Sequence, residues 1–137
     1  MAPNVRPLRY LTADEVWAMN EALLARESQQ ALLRDRGVLE SAVMRPQTLA
    51  HYEGANLIEQ AALINGVALA HPFLDGNKRA ATIAGAAFLV LNGHRIVSVG
   101  DELGSQVEAL VLHPDGVETA TEQFIVWLRA HVVVCSA

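Results

Sequence analysis

Cysteine is almost absent, aromatics are few and charge is sparse. Only Cys135 can make a thiol bond among the 137 residues, so an intramolecular disulfide and a zinc-type cysteine cluster are both excluded, and a reducing compartment is expected. Aromatics at 5%, together with abundant Ala and Leu, favour helices over a β-sandwich. Charged residues make up 18% against 52% hydrophobic ones, which excludes a disordered chain. A net charge of −5 provides no basic field for non-specific nucleic-acid binding, so no direct nucleic-acid contact is expected. No run free of Asp, Glu, Lys and Arg exceeds 15 residues, whereas a membrane span needs roughly 18 to 20 apolar residues. The opening MAPNVRPLRY carries two arginines and no apolar core of signal-peptide type. The expectation is a soluble, cytoplasmic protein without membrane contact.

What is present reads as helices. The length suits one domain, with 1–10 as an extended arm broken by Pro3 and Pro7 and 11–137 as a single all-α bundle. Thr12 and Glu15 form a capping-box pattern with Leu11 and Val16 as a staple, which predicts a helix to about Arg26. SQQALLRDRG predicts a short helix or loop ending at Gly37, and VLESAVMRP predicts a helix stopped by Pro46. Two strongly apolar helices follow, from about Asn56 to Ala70 and from about Asn77 to Asn92, the second stopped at Gly93. Apolar residues cover most of their circumference, so both are central. Gly85 costs the second of them about 1 kcal/mol relative to Ala, which implies a closely packed neighbour. HRIVS predicts a short strand or extended piece. DELGSQVEALVL and VETATEQFIVWLRAHV predict two more helices, the last anchored by Phe124 and Trp127.

Between the two central helices lies HPFLDGNKRAA, His71 to Ala81. Pro72 pushes His71 out of the helical region, placing it at a helix end. Gly76 permits a positive-φ backbone, and Asn77 is suited to cap the following helix. That N-terminus presents free amides and partial positive charge, a combination that attracts phosphate. Lys78 and Arg79 in the first turn oppose the dipole by a few tenths of a kcal/mol unless an anion is bound. Asp75 can offer a hard oxygen ligand to magnesium, which takes one or two protein carboxylates and keeps several waters. His71 can take the proton of an attacking hydroxyl. Each residue alone has an ordinary structural reading: a histidine before proline, a turn with a cap, a solvated basic pair. Their concentration between two helices too apolar to be exposed is what points to a site.

These residues resemble the motif of the Fic/Doc superfamily, H-P-F-x-D/E-G-N-G-R-x-x-R. His71, Pro72, Phe73, Asp75, Gly76, Asn77 and Arg79 match it, and the likeness extends from about Leu11 to Leu128. Lys78 stands at the glycine position and Thr82 at the second arginine, departures shared with the death-on-curing type, Doc. The resemblance implies a compact Fic/Doc-type helical bundle whose two central apolar helices flank the motif loop. It implies a Doc-type protein Ser/Thr kinase of a toxin-antitoxin system, using ATP and Mg2+. In that scheme His71 is the base, Asp75 holds the metal, and Gly76, Asn77, Lys78 and Arg79 bind the ATP phosphates; Phe73 belongs to the core. The implied acceptor is elongation factor Tu, and the implied partner is a Phd-type antitoxin whose C-terminal segment enters a groove beside the site as a helix. The self-inhibitory S/T-x-x-x-E-G/N pattern has no match, which fits inhibition in trans.

Three alternatives compete with that scheme: nucleotidyl transfer as in most of the superfamily, an inactive helical binding protein of the same fold, and a hydrolase using His71 and Asp75 as transition-metal ligands. Pro72 disfavours the last, because i, i+4 ligands align only on a helix. The second HPDG, His113 to Gly116, lacks the asparagine and basic pair and is expected to be an interhelical turn.

Overall fold

The computed structural model describes residues 7–27 and 32–135. Pro3 and most of the expected arm, and 28–31 of the polar segment, lie outside the described residues. Helix α1, Ala13–Ala25, begins at the capping box read from the sequence: Thr12 accepts from the Glu15 amide at 3.1 Å, and the Glu15 carboxylate accepts from the Thr12 amide at 2.9 Å. Its core-facing spacing runs through Val16, Asn20 and Leu24, all buried.

Helix α2, Arg36–Glu53, corrects two expectations. Gly37 lies inside its first turn rather than ending a segment, and Pro46 lies inside the helix rather than stopping it. An interior proline costs about 3 kcal/mol. Tertiary burial of Pro46 opposes that cost, and both ends of the helix are firmly set: Asp35 accepts from the Val38 amide at 3.1 Å, and Gly54 closes the helix in the left-handed conformation.

The expected long helix from Asn56 to Ala70 is divided. Helix α3, Leu57–Asn65, starts at a second capping box, Asn56 with Glu59, and a single turn, α4, Val67–Ala70, follows Gly66. Glycine is a weak helix former, and the buried Asn65 beside it turns its amide to the Ala81 carbonyl at 2.9 Å instead of to its own helix. Helix α5, Asn77–Leu91, agrees with expectation, with Gly93 at φ 79 beyond its end. Helices α3 and α5 pack together at the centre through Ala61, Ala62, Ala80, Ala81 and Ala84, all buried. Small side chains bring the two backbones close. A Cβ on Gly85 would collide with the Asn65 carboxamide, which identifies the close neighbour that the glycine implied.

Around this pair, α2 packs on α3 and α1 packs on α5. Helix α6, Glu102–Leu112, and helix α7, Val117–His131, close the remaining sides, joined by the turn through His113 and Gly116. Phe88 is buried and stacks with Tyr10 at 5.8 Å; the Tyr10 hydroxyl donates to Gln60 at 2.7 Å, and burial pushes its pKa above the ordinary value. The short strand read in HRIVS is β1, His94–Ile96. Its partner was not foreseen: the last helix ends at His131, and β2, Val132–Val134, pairs antiparallel with β1 in the register His94↔Val134. Consecutive valines favour the extended backbone over another helical turn. Among the described residues no helix is long and apolar enough to cross a membrane.

Phe124 is buried as expected, and Trp127 fastens α7 to α6 by donating to Glu102 at 3.0 Å. That hydrogen bond, and then the one from the Val99 amide, hold the Glu102 carboxyl below its ordinary pKa.

Two outcomes follow from this packing. On propensity alone Gly85→Ala would stabilise α5 by about 1 kcal/mol. The collision with Asn65 reverses the sign, to a loss of about 1–3 kcal/mol in urea unfolding, and Asn65→Ala in the same chain recovers part of it. For Glu102, a depressed folded pKa means that its contribution is present above the unfolded glutamate range and is lost as pH falls through the lower folded value. The melting temperature of the wild type therefore drops more between pH 5 and pH 3 than that of Glu102→Gln.

Candidate functional site

The motif loop is a reversal built on two left-handed residues. His71 ends α4 at φ 50, ψ 54, and Gly76 opens α5 at φ 79, ψ 14. For a non-glycine residue the first of these costs roughly 1–2 kcal/mol, so something must hold it. The inner face is fixed by Phe73, which is 1% exposed and sits in the core as expected, and by an isolated antiparallel bridge between Phe73 and Leu33. The Pro72 carbonyl accepts from the amides of Arg34 at 2.8 Å and Asp35 at 3.2 Å.

Asn77 was expected to cap α5, and it does not. Gly76 is the N-cap, and no side chain among the described residues caps the helix. Asn77 is the first helical residue, and its carboxamide faces back into the loop: Oδ1 accepts from the Phe73 amide at 2.9 Å, and Nδ2 donates to the Phe73 carbonyl at 2.8 Å. Both polar ends of the side chain are thus used to close the turn on itself. The amides of the first turn of α5 have no partner within the helix.

The charged residues are distributed unevenly. The Asp75 side chain is exposed, and its Oδ1 accepts from the Gly76 amide at 2.8 Å, which leaves the second oxygen for a ligand. The His71 side chain is exposed and forms no hydrogen bond or ion pair among the described residues. Lys78 and Arg79 do not stand as free cations at the helix terminus. Lys78 pairs with Glu108 of α6 at 3.0 Å, and Arg79 pairs with Glu27, just past α1, at 2.9 Å. The unfavourable opposition between two cations and the helix dipole, inferred from sequence, is therefore relieved within the protein, and that inference loses its force. Thr82, at the second arginine position of the motif, donates to the Lys78 carbonyl at 2.8 Å.

Among the described residues no three of His, Cys, Asp and Glu gather into a metal-binding group. A lone exposed carboxylate suits magnesium held largely by phosphate and water, and it does not suit a closed transition-metal site.

Sequence reasoning missed four residues around the loop. Asn20 of α1 donates to the Asp75 carbonyl at 3.2 Å, and Arg34 donates to the carbonyls of His71 at 2.6 Å and Ala70 at 3.0 Å. Glu27 and Glu108 are the other two. Asn20 had a readable signal, since an amide at the i+4 and i−4 positions of Val16 and Leu24 faces the core. Arg34 reaches across more than thirty residues of chain and had none.

Beside the loop, α2, α3, α4 and α7 enclose a groove of about 940 Å3. Val38, Leu63, Val67 and Leu69 give it an apolar lining, Asp35, Glu118 and Glu122 give it acid, and Ala70 brings it to the residue before His71.

Comparison with known proteins identifies the family of the chain. Residues 10–89 match the model of the Fic/DOC family. A curated relative, Toxin Doc of Mycolicibacterium smegmatis, is 39% identical over 69 residues, covering 48% of this chain and 53% of the relative. The chain thus spans about half the length of the curated relative that it matches.

The two ion pairs are about half exposed, so each contributes at most about 1 kcal/mol. Glu27→Gln and Glu108→Gln should therefore each shift the free energy of unfolding by less than that amount, with the shift vanishing in high salt, as measured by urea titration.

Proposed function

The chain belongs to the Fic/DOC family, and from that premise we propose that it is a Doc-type toxin that transfers the γ-phosphate of ATP to a Ser or Thr hydroxyl of a translation factor. The observation that carries this reading is the uncapped N-terminus of α5, entered through a left-handed Gly76, with Lys78 and Arg79 in its first turn and His71 five residues before that glycine in the same loop. Main-chain donors in such a turn suit a polyphosphate, while the two cations beside them are held by Glu108 and Glu27 in the free protein. Asn77 contributes through its main-chain amide, since its side chain is committed to Phe73.

The roles divide as follows. Gly76, Asn77, Lys78 and Arg79 bind the ATP phosphates, and the carboxylates of Glu27 and Glu108 give way to them. Asp75 holds Mg2+, which when bound supplies charge neutralisation between the phosphates. His71 accepts the hydroxyl proton as the oxygen forms its bond to the γ-phosphorus, and the bond from that phosphorus to the β–γ bridging oxygen breaks to release ADP. An exposed imidazole with no hydrogen-bond partner among the described residues is suited to an incoming protein hydroxyl. Elongation factor Tu is the first acceptor to assay, and its modification would arrest translation.

The groove beside the loop supports a partner of Phd antitoxin type. Its apolar lining and its three carboxylates, against the single cation Arg45, suit an amphipathic helix with basic residues along one edge.

ATP labelled separately at the α and γ positions decides the chemistry. The γ-label is expected on the acceptor, with Mg2+ required and with His71→Ala lowering the rate by about a hundredfold or more. Transfer of the α-label would replace this reading with nucleotidyl transfer, and no label on any translation factor, with equal toxicity of wild type and His71→Ala, would leave an inactive binding protein.

A further inference from the structure

The loop is held from outside at two separate points. At the histidine end, the Arg34 guanidinium lies across the last two carbonyls of α4, with Nε donating to His71 at 2.6 Å and Nη2 to Ala70 at 3.0 Å. At the carboxylate end, Asn20 of α1 is fully buried, and its Nδ2 donates to the Asp75 carbonyl at 3.2 Å. Its carboxamide lies so close to Gly76 that a Cβ there would collide with it. We propose that Arg34 and Asn20 are positioning residues for separate halves of the reaction: Arg34 sets His71 for the hydroxyl, and Asn20 sets the Asp75–Gly76 turn for the metal and phosphates. The assignment of halves rests on the kinase reading above.

His71 occupies the left-handed region at φ 50, which a non-glycine residue keeps only when its surroundings determine it. Two parallel donors from a planar guanidinium fix both the position and the orientation of the carbonyls that flank that residue. No other side chain among the described residues bonds the backbone of Ala70 or His71.

Asn20 sits where it does at a cost to stability. Its Oδ1 is buried with no donor among the described residues. An amide with half of its capacity unmet, between Val16 and Leu24 on the core face of α1, is a poor choice for packing, where an apolar residue of similar shape would do as well or better. Its hold on the Asp75 carbonyl and its fit against Gly76 explain it.

The test uses the whole chain with Arg34→Met and Asn20→Leu, and it reads three quantities: amide exchange without ligand, Mg-ATP affinity by calorimetry, and γ-phosphate transfer. Arg34→Met is expected to raise exchange at His71 and Phe73, to leave Mg-ATP affinity unchanged and to slow transfer by about a hundredfold. Asn20→Leu is expected to raise exchange at Gly76 and Ala80, whose amides are bonded within this turn, and to weaken Mg-ATP binding by about tenfold, with no loss of melting temperature. Arg34→Lys, which can reach one carbonyl of the two, is expected to be intermediate, and Asn20→Ser serves if leucine does not fold. An Arg34→Met chain that loses Mg-ATP affinity as much as transfer, an Asn20→Leu chain with unchanged affinity, or variants that loosen α1 and α5 uniformly or leave the loop amides unchanged, overturn the proposal. If the wild type binds no Mg-ATP, the kinase reading fails, and the exchange pattern alone decides whether the two residues hold separate ends of the loop.

Discussion

The site depends on a side chain that closes its own loop. Asn77 satisfies both the donor and the acceptor of Phe73, four residues earlier, and so turns the chain tightly between the core position of Phe73 and the first turn of α5. With Phe73 sealed in the interior, both ends of that turn are fixed. His71 and Asp75 are then presented on its outer side without being anchored through their own functional groups, apart from the one oxygen of Asp75 bonded to the Gly76 amide. An asparagine in the first turn would ordinarily serve the helix. Here it serves the turn, and the helix terminus stays open.

Local rules read the fold well where the deciding forces are local. Thr12 with Glu15 fixes the start of α1, Asn56 begins α3, and Gly93 follows the end of α5, all through hydrogen bonds or dihedral preferences that span four residues or fewer. They fail where burial outweighs them. Pro46 ends a helix on propensity, and the packing of its ring keeps α2 intact. The break at Gly66 involves Asn65 reaching across to α5, a contact that no window along the chain contains. The strand Val132–Val134 is legible in hindsight from three valines, but its register depends on β1, nearly forty residues away.

The same division runs through the site. The motif itself, His71 to Arg79, is contiguous and readable. The acids that engage its cations are Glu27 and Glu108, on elements distant in sequence, and without them the charge balance at the head of α5 was misjudged. Arg34 and Asn20 likewise act across gaps of 37 and 55 residues. A reading of the motif alone identifies the groups that could do chemistry and misses those that hold them still.

Pro46 has one more effect. Lacking an N–H, it cannot give the Ala42 carbonyl its helical hydrogen bond, and Ala42 belongs to the wall of α2 that borders the groove. The α2 ladder is thus one hydrogen bond short behind a wall that also carries Ser41 and Arg45. With Asp35 acidic, Val38 apolar and Arg45 basic along that same side, the trough meets an occupant with a different chemistry at each successive turn, which can fix its register.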